Sequence, residues 1–92
     1  MALATRSGLH IEDSGAGAPV LLLHSSGLSG RQWRRLVPEL VERGMRAVVP
    51  DLTGHGRSDP WPESTPFSFT MDVDRVSKVL RAVGSAHVVG HL

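Results

Sequence analysis

The sequence predicts an α/β fold: an N-terminal hairpin, then parallel strands with two crossover helices. Two observations predict it. Three short apolar runs, 20–24 ("VLLLH"), 45–50 ("MRAVVP") and 86–89 ("AHVV"), lack strict alternation and read as strands buried on both faces. The segments between them carry apolar residues at helical spacing, so strand and helix alternate along the chain. Parallel neighbours need a crossover, and the crossover is right-handed.

The elements follow in order. "ALAT" and "LHIE" flank the turn-type pair Ser7-Gly8, which predicts the hairpin. The small-residue loop "DSGAGAP" leads into the first buried strand, and "SSGLSG" leads out of it. From Arg31 to Gly44, Trp33, Leu36, Val37, Leu40 and Val41 form one stripe at i, i+3, i+4, i+7 and i+8, an amphipathic helix. Ser29 and Gln32 fit a capping box at its start, and Gly44 fits the residue past its end. Pro38 inside it should bend it, because proline removes one backbone donor. A second helix is expected from about Thr70, with Val73, Val76, Leu80 and Val83 on its apolar stripe. Asp72 and Asp74 in its first turn and Arg81 in its last suit the helix dipole, and Gly84 stops it. The loop 51–66 is too long to be a bare connector, so it is expected to be functional or disordered.

Composition narrows the function classes. The 92 residues make one small domain or part of a larger one, with a core expected to be marginal. A net charge of +1 gives no electrostatic case for nucleic acid. Arg31, Arg34 and Arg35 are the nearest thing to a basic cluster and read as a solvated helix face. The absence of Cys excludes disulfides, a thiol nucleophile and thiolate metal sites. The five His show no ligand spacing, so no metal is expected; His10 and His87 read as filler on strand faces. No apolar run could span a bilayer and the N-terminus lacks a signal-peptide core, so a cytoplasmic protein is expected.

Three loops follow the carboxyl ends of the three buried strands, where open α/β sheets bind ligands. They are "HSSGLSGRQW", "PDLTGHGRSD" and "GHL". Together they resemble the α/β-hydrolase family from about Leu9 to His91. The family has a strand ending in His-Gly with a Trp nine residues after the His; here these are His24, Ser25 and Trp33. It has Asp-x-x-Gly-x-Gly-x-Ser after the next strand; here these are Asp51, Gly54, Gly56 and Ser58. It then has a nucleophile elbow, Gly-x-Ser-x-Gly; here the sequence is "VVGHL", with Gly90, His91 and Leu92. The spacing between the motifs matches as well.

The resemblance implies roles. The fold would be the N-terminal half of an α/β-hydrolase sheet, residues 1–92 forming the N-terminal portion of that domain. Ester hydrolysis passes through a tetrahedral oxyanion, which needs backbone N–H groups already aimed at it. One would come from the loop His24, Ser25, Ser26, at the amide of Ser26, and the other from the residue after the nucleophile. His24 is implied to hold loop shape, not to act as a base. Gly54 and Gly56 would make a structural turn whose amides Asp51 and Ser58 satisfy. His55 reads as an exposed loop residue. Trp33 reads as core, and Trp61 as loop packing. Ser25 and Ser26 are not nucleophiles unless a base lies within reach, and nothing nearby in the sequence supplies one.

No catalytic residue of the Ser, Asp and His triad is present, and Leu92 occupies the nucleophile position. The chain is therefore expected to be inactive alone. It reads as part of an esterase- or lipase-like hydrolase truncated at the elbow. Alternatively it is a non-catalytic binding protein or half of a split enzyme. No cofactor is implied. The parent family acts on small-molecule substrates. The strand "AHVV" is expected at an uncovered sheet edge, open to self-association or to a second chain.

Overall fold

A computed structural model describes residues 2–6, 8–25, 27–61 and 69–91. They form one five-stranded mixed sheet with a helix packed on each face. The strands are β1 (Ala2–Arg6), β2 (Leu9–Ser14), β3 (Ala18–Leu23), β4 (Met45–Pro50) and β5 (His87–Gly90), in the order β1-β2-β4-β3-β5. β1 and β2 form the expected hairpin, antiparallel, with Arg6 opposite Leu9. Ser7, in its turn, lies outside the described residues. β2 pairs antiparallel with β4, while β3 pairs parallel with both β4 and β5.

The chain leaves β3 for β4 on one side and returns past β3 to β5 on the other. The first crossover carries α1 (Leu36–Glu42), and the second carries α2 (Phe69–Val83). Connections thus depart from β3 in opposite directions, which opens a crevice at the carboxyl ends of the strands.

The missing alternation in β3 and β4 has its cause in this layering. Val20, Leu22, Ala47 and Val49 point to one face, where Trp33, Leu36, Val37 and Leu40 cover them. Leu21 and Val48 point to the other, joined by Leu9, Ile11 and Val79 and packed by Val76, Leu80 and Val83. Both faces are buried, so both sets of positions are apolar.

The helices depart from the sequence reading in two places. Residues 31–44 do not form one bent helix. A 3-10 turn at Gly30–Trp33 comes first, and α1 begins only at Leu36. Pro38 explains the break. In a continuous helix its missing N–H would leave the Arg34 carbonyl without a donor. With α1 starting at Leu36, Pro38 falls in the first turn, where amides have no intrahelical acceptor. In α2 the stripe is also shifted. Val73 is 62% exposed, whereas Val79 is fully buried. Asp72 and Asp74 do lie near the start of α2, and Asp74 pairs with Lys78 one turn on, at 3.2 Å.

Candidate functional site

The loops after β3, β4 and β5 meet at one end of the sheet. The turn after β4 is organised around Asp51, a buried carboxylate. Its Oδ1 accepts from the Gly30 N–H at 2.6 Å, and its Oδ2 from the Arg57 N–H at 3.0 Å. One side chain thereby joins the start of the 3-10 turn to the far side of the β4 loop. Gly56 has φ +51, and a Cβ there would overlap the Asp51 carboxylate. Ser58 Oγ donates to the Asp51 carbonyl and accepts from the His10 N–H at 2.8 Å. The Gly54 N–H donates to the Asp59 carbonyl at 2.8 Å and closes the turn. Asp51, Gly54, Gly56 and Ser58 thus come together as one structural unit. Asp72 of α2 accepts from the Thr53 N–H at 3.1 Å and anchors the loop from below.

His24 is buried and has both ring nitrogens engaged. Nδ1–H donates to the Ser25 carbonyl at 2.8 Å, and Nε2 accepts from the Leu52 N–H at 2.9 Å. That pattern fixes one tautomer and leaves no lone pair for a base. His55 corrects the sequence reading. It is a half-buried residue with two bonds of its own: Nδ1–H donates to the Thr53 carbonyl at 2.9 Å, and Nε2 accepts from the Gly27 N–H at 3.0 Å. The two imidazoles lie 5.0 Å apart, centroid to centroid. A loop histidine beside two glycines looks exposed in sequence because its partner, Gly27, lies in a different loop.

Ser25 corrects it too. A histidine does lie within reach: Ser25 Oγ stands 2.7 Å from His91 Nδ1 and donates to the His91 carbonyl at 3.0 Å. Gln32 completes the cluster. Its Oε1 accepts from the Ser25 N–H at 2.8 Å, so its amide nitrogen faces His91 Nδ1, at 2.7 Å. An NH2 group only donates, so Nδ1 must be the acceptor and the His91 proton sits on Nε2. Trp33 meets the same ring edge-on, at 6.4 Å between centroids. The capping-box expectation for Gln32 therefore fails. Its side chain serves Ser25, while Ser29 Oγ accepts from the Arg31 N–H alone. The Ser25 contact exists only because the β3–β5 pairing brings residue 91 beside residue 25, which sequence spacing does not show.

Ser26 and Leu92, the expected oxyanion donor and the nucleophile position, lie outside the described residues. Gly90 and His91 are described, at the exposed end of β5. Trp33 packs on the sheet, as its place on the stripe implies. No group of three or more metal-binding side chains gathers among the described residues, and none of their helices is long and apolar enough to cross a membrane.

Residues 18–91 match the alpha/beta hydrolase fold family. The chain belongs to that family. It is 35% identical over 86 residues to an epoxide hydrolase of Caballeronia sordidicola, covering 90% of this chain and 26% of that protein. It is 38% identical over 87 residues to a lipase of Mycobacterium tuberculosis, covering 90% of this chain and 31% of the lipase. Its backbone is similar to that of an epoxide hydrolase from Vigna radiata, with a TM-score of 0.86 and 29% identity, over 98% of this chain and 29% of that one. The chain thus spans between a quarter and a third of the length of these relatives, and its sheet matches the N-terminal part of the fold.

Proposed function

We propose that this chain supplies the oxyanion-hole side of an esterase- or lipase-type site acting on a carboxylic ester or a similar small substrate. The observation that carries the reading is the Ser25 hydroxyl donating to the His91 carbonyl at 3.0 Å, with Gln32 bridging the same two residues, which holds the β3 loop beside the turn after β5. In a hydrolase of this type the two oxyanion donors come from those two segments. The Ser26 amide is the donor on the first. His24 and Ser25 belong to the same loop, and Gly90 and His91 to the elbow segment facing it. Asp51, Gly54, Gly56 and Ser58 form the supporting turn.

The 92-residue chain alone does not catalyse. Residue 92 is Leu, which has no nucleophilic atom. Among the described residues no carboxylate orients the Ser25–His91 pair as a catalytic base requires. Aryl-ester turnover by the purified chain is expected at background. Turnover of 4-nitrophenyl acetate proportional to chain concentration, abolished by both Ser25→Ala and Ser26→Ala, would falsify this. Leu92 also favours a second reading, a non-catalytic binding protein or one half of a split hydrolase. The coding sequence following Leu92 separates these: codons for a later Asp and His support the hydrolase, while a genuine stop beside a gene for the complementary half supports the split one.

A further inference from the structure

A groove of about 660 Å³ lies beside this cluster and is lined in part by Gln32. Its lining includes Arg31, Arg34 and Arg35 on one wall and Arg57 on the other, with no Asp or Glu. The helix-side trio alone would be a solvated face. Arg57, from a different loop, turns it into a two-walled site. Among the described residues none of these guanidinium groups has an ion-pair partner, whereas Arg46 is paired with Asp13. Crowding like charges this way costs stability, and a bound anion would offset the cost.

The walls are also held in place. The Asp51 carboxylate accepts from Gly30 N–H on the trio's side and from Arg57 N–H on the other, so the backbone spacing across the groove is fixed before any ligand arrives. Arg presents a planar fork that matches carboxylate and phosphate oxygens. The adjoining recess of about 190 Å³ shares Arg31 and Arg57 with the groove but is also lined by Glu12 and Asp51, so an anion is better placed in the outer groove, whose lining has no carboxylate.

We propose that this groove binds the carboxylate or phosphate group of a small organic anion beside the strand ends. The binding stands apart from the hydrolase reading; only the ligand's status as a substrate rests on it. The test is a calorimetric or NMR titration of the chain with inorganic phosphate and, separately, with succinate, at low ionic strength. Saturable one-site binding of either anion is expected, and which one binds identifies the chemistry. Arg34→Gln and Arg57→Gln, one from each wall, should each weaken it by about tenfold. Arg43→Gln, outside the groove, should not. Glutamine keeps helix propensity, and far-UV circular dichroism confirms that each variant is folded. Failure of both anions to saturate, or equal weakening by Arg43→Gln, would overturn the proposal, since either result means diffuse surface charge. Absence of esterase activity has no bearing on it.

Discussion

Gly56 and Gly27 both have positive φ, yet they should respond differently to a methyl group. At Gly27, φ +84, an added Cβ meets nothing within 4 Å, so Gly27→Ala should cost only the left-handed strain, about 1 kcal/mol. At Gly56 the same strain is joined by overlap with the Asp51 carboxylate. Asp51 cannot retreat without abandoning the Gly30 and Arg57 amides. Gly56→Ala should therefore cost about 3 kcal/mol. Urea denaturation midpoints at constant slope compare the two. Equal losses would mean that the Asp51 cradle yields readily.

At the scale of elements, α2 offers a test in which two valines should give opposite signs. Val79 is fully buried under the sheet, so Val79→Ala should cost about 1.5 kcal/mol, the lost burial less the better helix propensity of Ala. Val73 is exposed, so Val73→Ala should stabilise by about 0.5 kcal/mol through propensity alone. Destabilisation by both would restore the stripe that periodicity suggests. Across β2 and β4, Arg46 donates to both Asp13 oxygens, at 2.8 and 2.6 Å. Those bonds, and then the attraction to Asp13, hold the guanidinium above its usual range. A raised basic group contributes fully below its unfolded-state value and fades only as pH passes the folded one. The loss on Arg46→Met, about 1 kcal/mol, should thus stay constant from neutral to about pH 10. A loss that shrinks over that range in melts at several pH values would contradict the pairing.

These elements also mark what the sequence makes legible. Strand runs, the hairpin and the helix order were readable because burial on both faces writes continuous apolar runs and helical stripes. The Asp51 turn was readable because its residues are close in sequence and its glycines are sterically required. The break before Pro38, the Val79 stripe, the His55 bonds and the Ser25–Gln32–His91 cluster were not. The break is local, but a proline in an apolar stripe is as compatible with a bend as with a new start; the other three depend on which element lies opposite, and that is settled only when β3 pairs with β4 and β5.

The whole molecule is asymmetric in how it covers its sheet. β3 and β4 are sandwiched between α1 and α2, while all four residues of β5 are exposed. Among the described residues β5 pairs only with β3, so its other edge has no strand beside it there, and it is flanked by Val88, 53% exposed, and Val89, 40% exposed. Charged side chains that guard natural edges are absent from "HVVG". An unpaired edge of this kind is a template for strand addition, by a second copy or a complementary chain. The 92-residue chain should therefore associate with rising concentration, as seen by light scattering. Val88→Lys and Val89→Lys should each suppress association, because a lysine on an edge strand sets its charge beside any strand that adds there, and two copies would set like charges together. The same lysines should leave the thermal midpoint of dilute protein nearly unchanged, since neither valine belongs to either core. Association that persists in both variants would place the contact elsewhere on the surface.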